Sequence, residues 1–352
     1  MTVLWGTYLA HNARAEHAAA LAVARQCLAL AEQHEHPGMS ALANRFMGQT
    51  LYYMGAFAQA RVHLEQTLAI CAANQETIAA YRRFGTDDQV RASSFLASTL
   101  LLLGYPEQST AMAMEAVARA RAMARPFTTA LALSHVAFLG LLGGDPGAAA
   151  SYADETLACS MEHRLAGPEH EARFAQGALL AQGGNPQRGI EFMRNAIVAA
   201  ESSAALNRHP MYLGHIAAAH ASLSRPEVAL NLLDDAIQSL EATNERFFEA
   251  ELHHLRGKML WTLGRKAEAE AGLRRALTMA QHQQARWWEV RAATTLARHW
   301  RDEGKYLEAH SLLEPVFGWF VEGFDTGSLK DAKALMSELT SLSNPQTHAR
   351  WG

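Results

Sequence analysis

The chain has 352 residues, of which 49% are hydrophobic and 19% charged, and a formal net charge of −4. The small negative charge and the lack of a basic tract argue against direct binding of nucleic acid, and no apolar run is long enough to span a bilayer. The first residues lack the basic and apolar regions of a secretory signal, so we expect a cytoplasmic protein without a membrane partner.

The chain begins with a short predicted helix, Thr2 to His11, about half as long as the helices that follow. Trp5 occupies the position at which later units carry a small residue. Repeat arrays normally protect their ends with a polar capping unit, and none is visible here. We therefore expect an apolar edge that another domain, a protein partner or a second copy in a homodimer covers.

The chain contains seven predicted turns. Before and after each turn lies a segment whose apolar residues recur with the spacing of an α-helix. The turns begin at Gly55, Gly104, Gly144, Gly184, Ser224, Gly264 and Gly304. From Gly104 onward a turn begins at every fortieth position. A glycine with a left-handed backbone ends the first helix of each unit, and proline is tolerated in the first turn of the next. The repeating unit is therefore helix, turn, helix.

The interval from Gly55 to Gly104 is nine positions longer than this period. The extra positions fall near residues 74–89, around Tyr81-Arg-Arg-Phe-Gly-Thr-Asp-Asp. We interpret them as an inserted loop. Such a loop either carries contacts to a partner or is a plain surface excursion.

The period breaks at Phe317-Gly-Trp-Phe-Val-Glu-Gly-Phe-Asp-Thr. A last amphipathic helix opens at Ser328-Leu-Lys-Asp, with an apolar face at Leu329, Ala332, Leu335, Met336 and Leu339. We expect residues 317–342 to form a C-terminal cap and residues 343–352 to be a frayed tail.

A small residue lies seven positions before each turn, which lets two helices approach closely. These residues are Gly48, Ala97, Ala137, Gly177, Ala217, Gly257 and Ala297. After the turn, a small residue is followed by a large apolar residue four positions later and a small one three positions after that, as in Ala269, Leu273 and Ala276. In these offsets the chain resembles the tetratricopeptide repeat family over residues 1–316. The resemblance implies an all-α, right-handed solenoid of about eight helix-turn-helix repeats with a 40-residue period, followed by a C-terminal capping helix.

Four stretches resemble the C-terminal repeat region of bacterial STAND-type predicted ATPases and regulators associated with class III adenylate cyclases. Three of them begin at Arg246-Phe-Phe-Glu-Ala-Glu-Leu-His-His, at Trp288-Glu-Val-Arg-Ala-Ala-Thr-Thr, and at Phe317-Gly-Trp-Phe-Val-Glu-Gly-Phe, and the fourth is Leu102-Leu-Gly-Tyr-Pro. That resemblance implies a module that senses a signal or holds a partner. No G-x-x-x-x-G-K-[ST] motif occurs, because Gly257-Lys258 precedes Met259 and Gly304-Lys305 precedes Tyr306, so the ATPase activity is not implied for this chain.

No catalytic, metal or cofactor motif stands out. The 17 histidines are scattered and no H-E-x-x-H occurs, so we interpret them as surface residues. Carboxylates one or two positions apart, such as Glu249 and Glu251, splay around a helix axis, so we interpret them as solvated faces. The three cysteines lie among alanine and leucine, as small buried thiols do. The sequence thus predicts a protein that is not an enzyme and has no cofactor or metal.

The tetratricopeptide resemblance also implies which positions line the concave groove. The polar ends of this groove are Arg45, Gln49, Tyr52, Arg91 and Ser98 near the start, and His254, Lys258, Trp261 and Arg298 near the end. Its middle is apolar, with Phe138 and Phe174, and we call it the waist. The waist either accepts a hydrophobic ligand or a partner's helix, or is buried as core by tight superhelical closure.

These patterns favour a non-catalytic interaction scaffold or signal-sensing module. Its protein partner would be an ATPase, a cyclase or a transcriptional regulator, or the chain's own missing N-terminal module. One alternative is a sensor that binds a small-molecule inducer in the waist. Another is a structural module that associates with itself.

Overall fold

The computed structural model describes residues 1–76, 78, 87–144 and 146–343, and none of these residues lies in a β-strand. Seventeen helices have described bounds. They are α1 (Thr2–Ala13), α2 (His17–His34), α3 (Pro37–Tyr53), α4 (Phe57–Ala73), α5 (Asp88–Leu103), α6 (Pro106–Ala122), α7 (Pro126–Gly143), α8 (Pro146–His163), α9 (Ala166–Gln182), α10 (Pro186–Ser202), α11 (His209–Ser222), α12 (Pro226–Thr243), α13 (Glu249–Thr262), α14 (Lys266–His282), α15 (Arg286–Asp302), α16 (Tyr306–Phe317) and α17 (Gly327–Leu342).

The helices pack as eight consecutive antiparallel pairs, α1 with α2 through α15 with α16, and α17 follows the last pair. All seven predicted turn residues have a positive φ, from 74° to 96° at the glycines and 56° at Ser224. Ala15, one period before Gly55, has a φ of 56° and forms the turn of the first pair. The predicted all-α repeat fold with about eight units is therefore confirmed.

A second set of left-handed residues lies between the pairs, where the second helix of one unit leads into the next. These are Ala124, Arg164, Ala204, Asn244 and Gln284, with φ between 50° and 56°. They recur with the same period as the turns, although only Asn244 is of a type that favours this conformation. The backbone repeat is thus more regular than the sequence repeat.

The small residues before the turns lie where the two helices of a pair cross. A Cβ atom added to Gly177 on α9 would lie 2.8 Å from the Met193 nitrogen and 2.9 Å from the Gly189 oxygen on α10. At Gly257 it would lie 2.7 Å from Leu273 Cγ. Since the obstacle at Gly177 is backbone, a side chain there cannot be accommodated by a change of rotamer. The predicted close approach of helices is confirmed at these positions.

The superhelix closes on itself, because turns in the first half of the chain contact loops in the second half. The Tyr53 carbonyl oxygen accepts hydrogen bonds from the backbone nitrogens of Arg246 (2.7 Å) and Phe247 (3.1 Å). The Ala13 oxygen accepts one from Leu206 N at 2.7 Å. The Leu142 oxygen accepts one from Trp287 Nε1 at 3.2 Å. We call this line of contacts the seam.

The C-terminal segment extends the seam. Glu322 Oε1 accepts hydrogen bonds from the backbone nitrogens of Glu107 (2.9 Å) and Gln108 (3.1 Å) at the start of α6, and Glu107 Oε1 accepts one from Gly323 N (2.8 Å). A carboxylate at a helix N-terminus satisfies amide groups that have no partner within the helix. The loop before α17 is therefore held against the start of α6, the second helix of the third pair.

Helix α17 buries Leu329, Ala332, Leu335 and Leu339, as its apolar pattern predicts, and it packs on α15 and α16. The outward residues Lys330, Asp331 and Lys333 are exposed, as expected for a helix that ends an array. The predicted loop near 74–89 lies mostly outside the described residues, and so does nearly all of the predicted tail 343–352.

One described helix, α7, meets the length and composition of a membrane span, which the sequence patterns above do not predict. Its 18-residue window has a mean hydropathy of 1.5, but 67% of it is buried inside the protein. The apolar composition of α7 is what its central position between neighbouring pairs requires.

Candidate partner-binding face

The first helices of successive pairs, α3, α5, α7, α9, α11, α13 and α15, contact one another and form the inner face of the superhelix. The predicted groove residues all belong to these helices. The structure buries Arg45, Gln49, Tyr52, Ser98, Phe138, Phe174 and His254. Arg91, Trp261 and Arg298 are half-buried, and Lys258 is exposed. Only these last four are open to a partner in the closed superhelix.

Near the start of the inner face, two arginine side chains converge on one glutamine. Arg45 donates from Nη1 to Gln49 Oε1 at 3.3 Å, and Arg91 donates from Nη2 to the same oxygen at 3.4 Å. Arg45 also forms an ion pair with Asp88 on α5. Gln49 Nε2 donates to Asn12 Oδ1 at 3.2 Å. We call Arg45, Gln49, Asp88 and Arg91 the N-terminal inner cluster.

The waist is filled by the protein itself. The Arg208 guanidinium lies 4.3 Å from the centre of the Phe138 ring and pairs with Glu171 at 2.9 Å, while Phe174 stacks on Tyr212 at 3.9 Å. The cavity that remains among these side chains has a volume of about 10 Å³, too small to hold more than one water molecule. A small-molecule inducer in the waist would therefore require the superhelix to open.

The Arg208–Glu171 pair is electrostatically strong. Burial alone would raise the pKa of Glu171, but the Arg208 guanidinium, His170, His135 and the Ser134 hydroxyl together outweigh burial and lower this pKa to about 2. Two other polar groups support the pair: Ser134 donates to Glu171 at 2.8 Å, and the Arg208 backbone nitrogen donates to Glu245 Oε2 at 2.9 Å. Glu171 is thus ionised throughout the ordinary pH range.

Buried neutral histidines make the fold sensitive to acid. Burial and the charges of Arg208 and Arg91 lower the pKa of His135 from 6.5 to about 3, although Glu171 acts in the opposite direction. His135 therefore takes up a proton near pH 6.5 in the unfolded chain but only near pH 3 in the folded chain. The contribution of neutral His135 to stability is fully present above pH 6.5 and decreases as the pH falls below that value.

We expect the free energy of unfolding to decrease between pH 6.5 and pH 4, by about 1.4 kcal/mol per pH unit for His135 alone. Urea unfolding at pH 8, 6 and 5, followed by circular dichroism, measures this slope. His135→Gln should flatten it, whereas His34→Gln at an exposed site should leave it unchanged. Equal slopes for the two variants would contradict the assignment.

Near the end of the inner face, a hydrogen-bonded network joins α13 and α15. Glu251 accepts from Arg291 at 2.7 and 3.1 Å, and its Oε2 lies 3.0 Å from His254 Nδ1. His254 Nε2 lies 2.8 Å from the Thr295 hydroxyl oxygen. Burial would raise the pKa of Glu251, but Arg291 and His254 hold it far below its usual range. The network forms a rigid base beneath the accessible residues.

The accessible residues above this base are two cations and a tryptophan. Lys258 and Arg298 form no ion pair among the described residues. Trp261 stacks on His299 with ring centres 3.7 Å apart. Desolvation lowers the pKa of Lys258, although its side chain is exposed. We call Glu251, His254, Lys258, Trp261, Arg291, Thr295 and Arg298 the C-terminal inner cluster.

Two interpretations from the sequence are wrong. Several histidines expected at the surface are buried, namely His17, His135, His170, His220, His253, His254 and His299. Glu249 and Glu251, expected on a solvated face, are buried as well, because arginines from their own or the next repeat neutralise them. Cys27 and Cys71 are buried free thiols and Cys159 is a half-buried one. In the part of the chain described, no group of three or more histidine, cysteine, aspartate or glutamate residues could hold a metal ion.

Sequence motifs alone did not indicate Arg208, Glu171 and Arg291. A signal for Arg291 does exist, because Glu251, Arg291 and Asp331 are each one period apart and so occupy equivalent positions in successive units, with alternating charge. Arg208 has no such signal. It lies in a loop between pairs, with a φ of 70°, and only the three-dimensional closure brings it into the waist.

A cavity of about 810 Å³ opens between α6, α7 and the loop before α17. Its walls include Leu101, Met114, Val136, Leu139 and Trp287. Its charged residues are Glu107, already bonded to Gly323 N, and the exposed Asp325. This cavity is a gap in the seam with few polar groups that could orient a ligand.

Solved structures share this architecture. A Rap protein complexed with competence and sporulation factor is 17% identical, with a TM-score of 0.59, over 76% of this chain and 71% of that one. The Rap conjugation gene regulator of the plasmid pLS20, in complex with the Phr* peptide, is 10% identical with a TM-score of 0.55, over 87% and 77%. A weaker similarity, with a TM-score of 0.44 and 12% identity, is to a STAND protein with a tetratricopeptide repeat sensor from Pyrococcus horikoshii, covering 94% of this chain and 50% of that one.

No protein-family model matches the sequence, and no curated protein matches it significantly. At these identities the structural similarity shows the fold alone. The chain has the tetratricopeptide-type repeat fold, as its sequence predicts.

Proposed function

We propose that this chain is a non-catalytic binding module whose C-terminal inner cluster receives an acidic segment of a protein or peptide partner. The observation that carries the proposal is the pair of unpaired cations, Lys258 and Arg298, beside the half-buried ring of Trp261. Tryptophan and arginine contribute strongly to protein interfaces, and unpaired cations favour acidic partners.

The charge balance of the cluster supports this choice of partner. Lys258, Arg291 and Arg298 carry three positive charges, while Glu251 and Asp331 carry two negative ones. Arg291 and Glu251 neutralise each other at 2.7 Å. The accessible surface therefore keeps a positive charge on a chain whose net charge is −4. An acidic segment would be attracted to this surface in preference to the rest of the molecule.

The same contacts support a non-catalytic role. Both ring nitrogens of His254 are occupied, by Glu251 and Thr295, and both oxygens of Glu251 accept from Arg291. General acid–base chemistry needs a group that is free to exchange a proton with a substrate. Two solved structures with this fold are complexes, one with competence and sporulation factor and one with the Phr* peptide, which supports a binding role.

The wider context is also part of the proposal. The resemblance of residues 246–257, 288–300 and 317–326 supports a cytoplasmic, bacterial regulator of the STAND ATPase or adenylate cyclase type, with this module as its sensing or scaffolding part. The exposed apolar residues Val3 and Leu9 of α1 support a contact of the first repeat with a second copy or with an adjoining module.

The test uses two fluorescent libraries of random dodecapeptides with blocked ends, one rich in aspartate and glutamate and one rich in lysine and arginine. We expect the acidic library to bind the intact chain at least tenfold more tightly by fluorescence polarisation. Lys258→Glu with Arg298→Glu should weaken this binding at least tenfold, and Trp261→Ala several-fold.

The matched control is Lys330→Glu with Lys333→Glu, which makes the same charge change on the exposed face of α17. It should change binding by less than twofold. Equal binding of the two libraries, or equal losses in the two charge-reversed proteins, would refute the proposal. Circular dichroism of each variant establishes that the helices are retained.

A further inference from the structure

The cavity of about 810 Å³ lies beside a helix that lacks a side chain present in the other units. The position four residues before each turn holds a large residue in six units, namely Leu51, Leu100, Leu180, His220, Leu260 and Trp300. Five of these side chains are buried and Leu180 is half-buried. The same position on α7 is Gly140, which lines the cavity together with Gly143 and Gly144. The missing side chain near the end of α7 therefore contributes to the cavity.

The walls of the cavity are mostly apolar and come from both sides of the seam. The large apolar side chains belong to α5, α6, α7 and α15 and are Leu101, Met114, Val136, Leu139 and Trp287. Gly323, in the loop before α17, packs so closely on Pro106 that a Cβ atom there would overlap the proline ring. The volume is within the range of about 300–1,000 Å³ that is typical of small-molecule sites.

The few polar groups of the cavity indicate which ligand it can take. Its two charged residues, Glu107 and Asp325, are both acidic and exposed. Neither forms an ion pair with a basic side chain in the part of the chain that the structure describes. Glu107 uses only Oε1 to accept the hydrogen bond from Gly323 N at 2.8 Å. The cavity therefore combines an apolar interior with carboxylates that are accessible to solvent.

The neighbouring charges do not cancel these two carboxylates. Arg291 Nη1 lies 3.8 Å from the point where a Cβ atom on Gly144 would lie, but this guanidinium pairs with Glu251 at 2.7 Å. Glu322, in the loop before α17, adds a further carboxylate, which accepts from two backbone nitrogens at the start of α6 at 2.9 and 3.1 Å. The local potential at the cavity therefore favours a cation.

One hydroxyl group of the cavity has only a weak acceptor. Tyr152 Oη donates to the Met114 sulfur at 3.3 Å, and both side chains are half-buried in the wall. The hydroxyls of Ser109, Thr110 and Thr326 each donate to a backbone oxygen instead. Since a thioether sulfur is a weak acceptor, the Tyr152 hydroxyl can turn to a ligand at little cost.

We propose that this cavity binds a small amphiphilic cation, a molecule with an apolar body and a protonated amine. The apolar body fills the space beside α7, the amine lies near Glu107 and Asp325, and the Tyr152 hydroxyl donates to an acceptor on the body. The ligand contacts α6, α7 and the loop before α17 together, so its binding favours the closed superhelix. This site is separate from the C-terminal inner cluster and does not depend on a protein partner.

The experiment compares two fluorescent probes that share a dansyl group and the same alkyl chain. Dansylcadaverine ends in an amine and N-dansyl-aminohexanoate ends in a carboxylate. Dansyl emission increases when the group leaves water, so titration of the full chain gives both dissociation constants. We expect dansylcadaverine to bind about tenfold more tightly, because the two acidic residues attract the amine and repel the carboxylate. Equal affinities would overturn the proposal.

A blocking variant tests the location of the probe. Ala111 is exposed on α6 and lines the cavity, so the indole of Ala111→Trp would occupy its space. This variant should bind dansylcadaverine at least tenfold more weakly. Ala118→Trp, at an exposed position of the same helix outside the cavity, should change the affinity by less than twofold. Unchanged binding to a folded Ala111→Trp protein would place the probe elsewhere and overturn the assignment.

A charge-neutral variant tests the selectivity without filling the cavity. Glu107→Gln with Asp325→Asn preserves the size of both side chains, and the amide oxygen at position 107 can still accept from Gly323 N. The preference for the amine probe should fall below twofold. Glu115→Gln with Asp235→Asn neutralises two exposed carboxylates outside the cavity and should retain the tenfold preference. Equal preferences in the two proteins would show that Glu107 and Asp325 do not select the cation.

The nature of the ligand is tested by competition. The lysine- and arginine-rich dodecapeptides should not displace dansylcadaverine, and displacement would assign the cavity to a basic protein segment instead of a small molecule. Circular dichroism of each variant establishes that the helices are retained. A negative result with the dansyl probes leaves the acidic-segment site unaffected, because that site is tested with peptides of opposite charge and with different variants.

Discussion

Replacing Arg208 by methionine is expected to lower the free energy of unfolding by about 3–5 kcal/mol. The substitution leaves the Glu171 carboxylate at the waist without its partner at 2.9 Å and removes the guanidinium that lies over Phe138. A buried, unpaired charge is among the most costly changes that a folded protein can undergo. Urea unfolding at pH 7.5, followed by circular dichroism, measures the loss.

The double variant Arg208→Met with Glu171→Gln should recover a large part of this stability, because no unpaired charge then remains at the waist. Arg225→Met removes an exposed arginine at the start of α12 and should change the free energy by less than about 0.5 kcal/mol. If the double variant is no more stable than Arg208→Met alone, the ion pair is not the source of the loss.

Replacing Gly177 by alanine is expected to destabilise the protein by about 2 kcal/mol, although alanine favours helix more than glycine does. The added methyl group would lie 2.8 Å from the Met193 nitrogen and 2.9 Å from the Gly189 oxygen, so α9 and α10 must separate. The midpoint of urea unfolding gives the change.

Gly167→Ala is the control in the same helix, because a Cβ atom there has no neighbour within 4 Å. It should leave the stability unchanged or raise it by up to about 1 kcal/mol. If both alanine variants shift the midpoint equally, the crossing of α9 and α10 is looser than the structure indicates, and Gly177 is not required by close contact.

The repeat fold could be predicted because its determinants are local. The turn at Gly104 and the small residue at Ala97 recur at one spacing, and each affects only a turn or the crossing of two neighbouring helices. The positive φ of Ala15, Ala124 and Ala204 could not be predicted from the local sequence. Their left-handed conformations are imposed by the packing of successive pairs, since alanine has no preference for positive φ.

The candidate site could be predicted only in part. The positions that face inward recur with the repeat period, but the exposure of their side chains does not follow that period. The register places Phe138 and Lys258 on the inner face equally well, yet one is buried and the other exposed. The difference arises from closure of the superhelix, which brings Arg208 and Phe247 to the middle of the inner face. Those contacts depend on the pitch of the whole array, and no local pattern encodes the pitch.

Closure also limits how a partner can engage the inner face. In the closed state the aromatic residues Tyr52, Phe95, Phe138 and Phe247 pack together in the centre. A docking segment therefore meets polar clusters that lie on either side of a filled middle.

The seam has a consequence for how the chain folds. In an open solenoid each unit contacts only its neighbours, so contacts stay local and folding can spread from any unit. Here hydrogen bonds such as those from Trp287 to Leu142 and from Gly323 to Glu107 join residues 145 and 216 positions apart. Such contacts raise the contact order and slow folding. During synthesis, the Tyr53 carbonyl group cannot accept its hydrogen bond from Arg246 until Arg246 has left the ribosome. The first repeats therefore lack their contacts across the seam during much of translation.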